Sequence, residues 1–416
     1  MKKSIAEIKE KIKKGEALVM TAKEVCDMVR DGQEPPREVD VVTTATRGIM
    51  SGTAAIFSFH VSERGEFKRA NKVWLNGVPS LPGPCPNERL GLVDVITYGT
   101  SHSKNDPKYG GGHLFKDFVD GNDIEVEVET DEGVILKSSS SKDDFFFSRM
   151  FTTRGAFRNY MGFVNLQNDA VRTIFHVKEL KKGEFTFSGC GEISPLENDF
   201  NLKTVGIGTK ILMNDAVGYV IGGGTRATPE RPNLSVFSDM KEMDPEYMGG
   251  FLTSDGPEVI NSVAVPIPIT DEDILRDVCR IDEGTKLPVA DIHDRLPFQD
   301  SSYSDVWQGT DIEIEFKEGD CIECDDCVVE SMCPTEAFKS YKHIRHLCFH
   351  CGACVSSCTG GAFKAELGGV HVGGKFIPVG LRLSDRFRAE RLEKRLKEMI
   401  EKGEFVISEP VDKITF

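Results

Sequence analysis

The chain has 416 residues, enough for two or three domains and a sizeable core. Its 51 Lys and Arg against 67 Asp and Glu give a formal charge of −16, which sets nucleic acid and anionic lipid aside as partners. No apolar run approaches a membrane span, and the N-terminus MKKSIAEIKEKIKKGE is too charged and periodic for a signal peptide, so a cytoplasmic protein is expected.

Ser4 and Glu7 read as a capping box that opens a helix, with Ile5, Ile8 and Ile12 on one face and Gly15 as its stop. Thr21 and Glu24 open a second, ending near Gly32, with Cys26 packed inside it. From Val39 to about Val265, short β-branched runs alternate with glycine-rich turns, which predicts one large α+β or α/β domain with a mixed sheet. Thr270 reads as the cap of a short helix holding Cys279, and residues 282–308 read as an irregular domain edge. Ile312, Ile314 and Phe316 alternate like a strand, and GGVHVGGKFIPV reads as a glycine-turned hairpin. Residues 384–400 form an amphipathic helix with Phe387, Leu392, Leu396, Met399 and Ile400 inward, a solvated charged face and Gly403 at its end.

Of 12 cysteines, 8 fall between Cys321 and Cys358, and in a reducing compartment such a crowd points to metal rather than disulfides. Cys321, Cys324 and Cys327 form C-x2-C-x2-C, followed by Cys333-Pro334; Cys348, Cys351 and Cys354 repeat it, followed by Cys358. Three thiolates at that spacing hold three irons of a cubane, and in two-cluster ferredoxins the fourth ligand comes from the other motif. The expected sets are Cys321, Cys324, Cys327 with Cys358, and Cys348, Cys351, Cys354 with Cys333. Cys333-Pro-Thr-Glu-Ala-Phe matches Cys358-Thr-Gly-Gly-Ala-Phe, so the halves continue alike. A zinc ribbon would use two C-x2-C knuckles instead of triplets with a trailing Cys. The expectation is a sulfur-chemistry domain over residues 1–308, a ferredoxin-like domain with two [4Fe–4S] clusters over 309–378, and a helix and tail over 379–416. His343, His346 and His350 are assigned supporting or surface roles.

Two glycine clusters, Gly110-Gly111-Gly112 before His113 and Gly222-Gly223-Gly224 before Arg226, could present backbone N–H groups to an anion. Cys85 sits on a proline-stiffened loop with Arg89 nearby, which marks a candidate nucleophile or sulfur carrier. Cys190, between Gly189 and Gly191, is the second candidate.

The runs VDVVTTATRG, KVWLNGVP, YGGGH, SGCGEISPLEND, TVGIGTKI and VAVPIPITDEDIL resemble the homocysteine-forming sulfurtransferases, which insert reduced sulfur into aspartate semialdehyde. With the cysteine module at the C-terminus, the chain resembles the methanogenesis marker 16 metalloprotein family. That resemblance implies reductive thiolation of an aldehyde, with a sulfide or persulfide donor and a low-potential electron donor. Sulfoacetaldehyde, giving coenzyme M, is the first substrate expected; homocysteine formation from aspartate semialdehyde is the second. A non-catalytic electron carrier or assembly factor is a third reading, and association of identical copies is compatible with all three. The chain departs from the sulfurtransferase pattern where cysteines are expected: it has Met50 and Ser51 after the TTATRG strand, and only serines over 138–141. Cys85 or Cys190 would then carry sulfur, or sulfide would enter free. Arg47 and Arg226 are the cations expected at a bound anion, and His113, His60 and Glu88 the options for a general acid.

Overall fold

The computed structural model describes residues 2–83 and 86–416. Both N-terminal helices form as expected. Ile5–Lys14 carries the Ser4/Glu7 box and ends on Gly15 in the left-handed region, and Ala22–Arg30 carries the Thr21/Glu24 box with Cys26 fully buried. The short helix Glu272–Asp277 is capped by Asp271 instead of Thr270, because the Asp271 carboxylate accepts the Asp273 and Ile274 N–H groups.

Among the described residues the large domain is a single mixed sheet of 14 strands. Val41–Ile49 and Gly256–Pro268 lie antiparallel near one end of the sheet, paired from Ile49↔Ile260 to Val41↔Pro268, with the short strand Val19–Thr21 outside them. Both strands are covered on each face, which is why they read as nearly unbroken β-branched and apolar runs. One face of this pair receives the C-terminal helix Arg386–Glu401 through Ala389, Leu392, Leu396 and Ile400 in the main core. Part of the charged side of that helix is buried rather than solvated: Arg386, Arg388 and Glu393 all lie inside. Phe387 turns from the core to the His350 ring, centroids 4.8 Å apart.

Residues 282–308 are ordered rather than irregular. Lys286–Asp291 and Pro297–Ser302 form a hairpin at the edge of a second sheet of six strands, and Ser304–Trp307 is a helical turn. The outer strand, PFQDSS, is largely exposed, so it carries no apolar alternation by which to see it. The GGVHVGGKFIPV hairpin forms as Gly369–Val372 and Lys375–Arg382, turned on Gly373 and Gly374 with φ of 57° and 78°. Lys375–Arg382 joins this sheet beside Phe185–Phe187, so residues from both sides of the cysteine block build one layer. Of the expected 312–316 strand only Glu315–Phe316 is realised, paired with Phe363–Lys364. Among the described residues no helix is long and apolar enough to cross a membrane.

Candidate functional site

The cysteine block folds as two like halves. After its last cysteine each half has a left-handed residue, Glu336 (φ 52°) and Gly361 (φ 64°), followed by an alanine N–H that donates to the cysteine sulfur: Ala337 to Cys333 Sγ at 3.2 Å, Ala362 to Cys358 Sγ at 3.4 Å. The residue before each second cysteine, Glu323 or His350, is left-handed too. Cys333, Cys348, Cys351 and Cys354 line one small apolar cavity, and Cys333 acts electrostatically on each of the other three. This is the crossed set expected from the spacing. In the other half, Cys324 Sγ lies 3.4 Å from Thr359 Oγ1, next to Cys358, so the chain crosses over there as well. Among the described residues no group of three His, Cys, Asp or Glu side chains converges on a single ion. Thiols spread around a cavity, with backbone N–H groups aimed at sulfur, fit a cubane better than a point charge.

The two halves differ in setting. Cys348 and Cys351 are buried, and Phe349 between them packs edge-on against Phe251 of the large sheet at 5.0 Å. The Cys351 carbonyl accepts the Arg382 N–H at 2.8 Å, and the Arg388 guanidinium donates to the Cys348 carbonyl. Cys321, Cys324, Cys327 and Cys358 are only partly buried, beside an exposed Ile322. The Cys348–Cys354 loop is therefore inboard and the Cys321–Cys327 loop outboard.

Arg47 does not face a free cavity. Its Nε donates to Asp385 at 3.1 Å, its Nη1 to Ser262 Oγ at 3.0 Å, and its guanidinium lies over the Phe349 ring. Asp385 also meets His350 Nδ1 at 3.2 Å and Arg388 at 3.1 Å, and its carboxyl is held down at about 2 by His350, Arg47 and Arg388 against the cost of burial. This junction ties the Val41–Ile49 strand, the C-terminal helix and the inboard loop together. The Glu192 carboxylate accepts from Arg30 and Arg386, and Asp282 from Arg386 at 2.6 Å, beside the Cys190 turn. Cys190 itself is fully buried: its thiol donates to the Arg47 carbonyl and accepts from Thr46 Oγ1, both at 3.6 Å, and burial pushes it up to about 11. A thiol so placed stays protonated near neutrality, contrary to the role expected of a nucleophile. Cys85 lies outside the described residues.

The Gly110-Gly111-Gly112 turn is not an anion cradle. Gly110 N–H donates to His113 Nδ1, Gly111 N–H to the Ser101 carbonyl and Gly112 N–H to the Gly99 carbonyl, and a Cβ on either of the last two would collide with neighbouring backbone. His113 is half-buried against the Gly250 backbone, and desolvation lowers its pKa. His60 stacks edge-on with Phe146 on the surface, and Glu88 accepts the Ala70 N–H.

Arg226, unlike Arg47, faces open space. It lines a cavity of about 500 Å³ together with Arg154, Arg295, Ser51, Ser188 and Thr225, walled by Phe157, Tyr160, Phe175 and Leu383. Arg154 Nε is 3.4 Å from Thr225 Oγ1, and the Arg295 guanidinium lies 5.0 Å from the Phe175 ring centre. Among the described residues none of these three arginines pairs with a carboxylate within ion-pair distance, and no Asp or Glu lines the cavity. A wider cleft of about 830 Å³ runs beside His343, His346 and His350, but its Arg388 and Arg391 are taken by Asp385 and Glu246. The arginine cavity opens beyond the end of the Val41–Ile49 strand, where Thr153 N–H donates to the Gly52 carbonyl and Thr225 N–H to the Thr153 carbonyl, holding the three walls in register. Its apolar wall, through Tyr160, Ile174 and Phe175, packs in the same cluster as Phe349 and Cys351 of the inboard half. Arg154, Arg295 and the buried Glu258 beside Ser51 were not singled out by sequence. The one signal for Arg154 is that Thr152-Thr153-Arg154-Gly155 echoes Ala45-Thr46-Arg47-Gly48.

Residues 17–407 match the sequence family described as "Homocysteine biosynthesis enzyme, sulfur-incorporation". An uncharacterized protein of Methanothermobacter thermautotrophicus is 46% identical over 407 residues, 97% of this chain and 94% of its own length. An uncharacterized protein of Methanocaldococcus jannaschii is 43% identical over 399 residues, 94% and 99% of the two chains. The L-aspartate semialdehyde sulfurtransferase of the same organism is 31% identical over 306 residues, 70% of this chain and 58% of its own. No solved structure matches.

Proposed function

The chain belongs to the homocysteine-biosynthesis, sulfur-incorporation family, and on that premise we propose that it converts a small anionic aldehyde and sulfide into a thiol, with sulfoacetaldehyde as the aldehyde and coenzyme M as the product. The observation that carries this reading is the cavity with three arginines that, among the described residues, have no carboxylate partner and no carboxylate beside them in the lining. A sulfonate stays anionic at physiological pH and lacks an ammonium group, so it needs cations and donors alone. Each charge-assisted contact contributes roughly 1.5–3 kcal/mol. The apolar wall excludes water from the reacting carbon, and Ser51 and Ser188 offer hydroxyls to its oxygen.

Two [4Fe–4S] clusters would be held by Cys333, Cys348, Cys351 and Cys354, and by Cys321, Cys324, Cys327 and Cys358, as in the marker 16 metalloproteins that the sequence resembles. When bound, each supplies one electron at a time to the two-electron reduction. Phe349 and the Arg47–Asp385–Arg388 junction hold the inboard set against the sheet that carries the cavity. A low-potential donor protein would reach the outboard half. The sulfur enters as free sulfide or on Cys85, since Ser51 stands where a cysteine is expected and Cys190 is a buried thiol that burial keeps protonated.

Homocysteine formation is the second reading, favoured by the sulfurtransferase relatives named for aspartate semialdehyde. The test is anaerobic incubation of the full chain with reductant, sulfide and each aldehyde, with the thiol product identified. Coenzyme M formed only when reductant is present is the expected result. Homocysteine alone would move the chain to the second reading, and no thiol from either aldehyde would leave an electron carrier.

A further inference from the structure

Loss of the carbonyl oxygen as water requires a proton at that oxygen, and no histidine among the described residues lines the arginine cavity. Glu258 adjoins it. The residue is only 5% exposed, and its Oε2 has no hydrogen-bond partner. It lies beside Ser51, which lines the cavity. The strand pattern explains the direction. Glu258 pairs with Phe251, so both project to the face on which Phe251 meets Phe349 of the inboard loop. Ile260, two residues on, pairs with Ile49, two residues before Ser51. Arg154 from the Phe145–Phe157 strand and Asp255 from the preceding turn are the charged groups acting on Glu258. His113 lies on the opposite face, against Gly250, with Glu336, Asp117 and Asp106 as its charged neighbours. A carboxyl kept in an apolar sheet face with a free oxygen costs stability, which is the mark of a functional group.

We infer that Glu258 and Ser51 form a proton relay to the oxygen that leaves the substrate. The inference rests on the reductive thiolation reading. In the adduct of sulfide with the aldehyde, one carbon bears both OH and SH. Ser51 gives its hydroxyl proton to that OH and takes the carboxyl proton of Glu258. The C–O bond breaks, water leaves, and a sulfur lone pair closes the C=S bond. The S–H proton then returns through Ser51 to Glu258. The adduct has become a thioaldehyde and water, the relay is restored, and no electron has moved. Ser51 touches the substrate; Glu258 acts through it.

The experiment compares wild type with Glu258→Gln, Glu258→Asp, Ser51→Ala and the Ser51→Ala/Glu258→Gln double variant. Readouts are kcat and KM for the aldehyde at saturating sulfide, kcat against pH, and melting at pH 8. Glu258→Gln is expected to lose roughly 10²-fold in kcat with KM changed less than about threefold, and Glu258→Asp to recover part of it. The double variant should be no slower than the slower single, because the two residues act in series. The fall of wild-type kcat above about pH 7 should vanish in Glu258→Gln. Melting of Glu258→Gln at pH 8 no lower than wild type separates a lost relay from a lost fold. Glu258→Gln within threefold of an active wild type, or additive losses in the double variant, overturns the relay and leaves the thiolation reading standing. A wild type that forms no thiol overturns both.

Discussion

The two halves of the cysteine block share their C-x2-C-x2-C triplets, their left-handed turns and their N–H to sulfur bonds, yet Cys348 and Cys351 are buried in the body of the protein while Cys321, Cys324 and Cys327 are only partly buried. The inboard loop is clasped by Arg382, Arg388 and Phe349 and joins the apolar cluster that walls the arginine cavity. The outboard loop has an exposed Ile322 and partly buried thiols. In the proposed function the same motif would serve two ends of one path: reach to a donor at one end and contact with the chemistry at the other.

The sharpest way to break this comparison is to remove one half at a time. Cys351→Ser should abolish thiol formation, by more than about 100-fold, and lower iron from about eight to about four per chain. Cys324→Ser should lose a similar amount of iron but keep turnover driven by a small chemical reductant. Equal loss in both variants would mean that inboard and outboard are not functionally distinct.

Next in size is Arg47→Ala. Asp385 would lose a guanidinium partner inside the fold, and removing one member of a buried ion pair costs about 3–5 kcal/mol. Melting should drop well below that of Arg154→Ala. A variant that melts like wild type but fails to bind substrate would return Arg47 to the anion site.

The third concerns pH. Burial raises the Glu258 carboxyl to about 7 from an ordinary 4.5. Between those values the folded protein keeps a proton that the unfolded chain has lost, so stability falls as pH rises and the cost is complete above about 7. Glu258→Gln removes it, so the variant should gain on wild type from pH 4.5 to 8, by on the order of 3 kcal/mol at most. Parallel stability curves would show that Glu258 ionises normally.

The smallest effect is expected in the cavity. Arg154→Ala and Arg295→Ala should each raise KM for the aldehyde about tenfold to a hundredfold, with little change in melting, because neither is paired in the fold.

What the sequence revealed follows the range of its signals. The capping boxes at Ser4 and Thr21 are local hydrogen-bond patterns and reappear as drawn. That Cys333 lies with Cys348, Cys351 and Cys354 around one cavity was legible because the motif repeats. Arg47 and Arg226 sit in similar glycine-flanked contexts, yet one is buried on Asp385, 338 positions away, and the other is exposed in a cavity wall. Nothing local separates them, since the partner arrives only when the C-terminal helix docks. The Gly110–Gly112 turn misled for the opposite reason. Glycines that admit an anion also admit a close backbone, and here Gly99 and Ser101 take the N–H groups. Glu258 was hidden within an apolar strand, where a single carboxylate is the only trace of the site it adjoins.

The central claim is that the cavity selects an aldehyde bearing an anion and no amine. Competition between sulfoacetaldehyde and aspartate semialdehyde, at equal concentration with limiting reduced protein and excess sulfide, tests it in one measurement. The account predicts that coenzyme M exceeds homocysteine at least tenfold, and that Arg154→Ala narrows the ratio. A wild-type excess of homocysteine would contradict it.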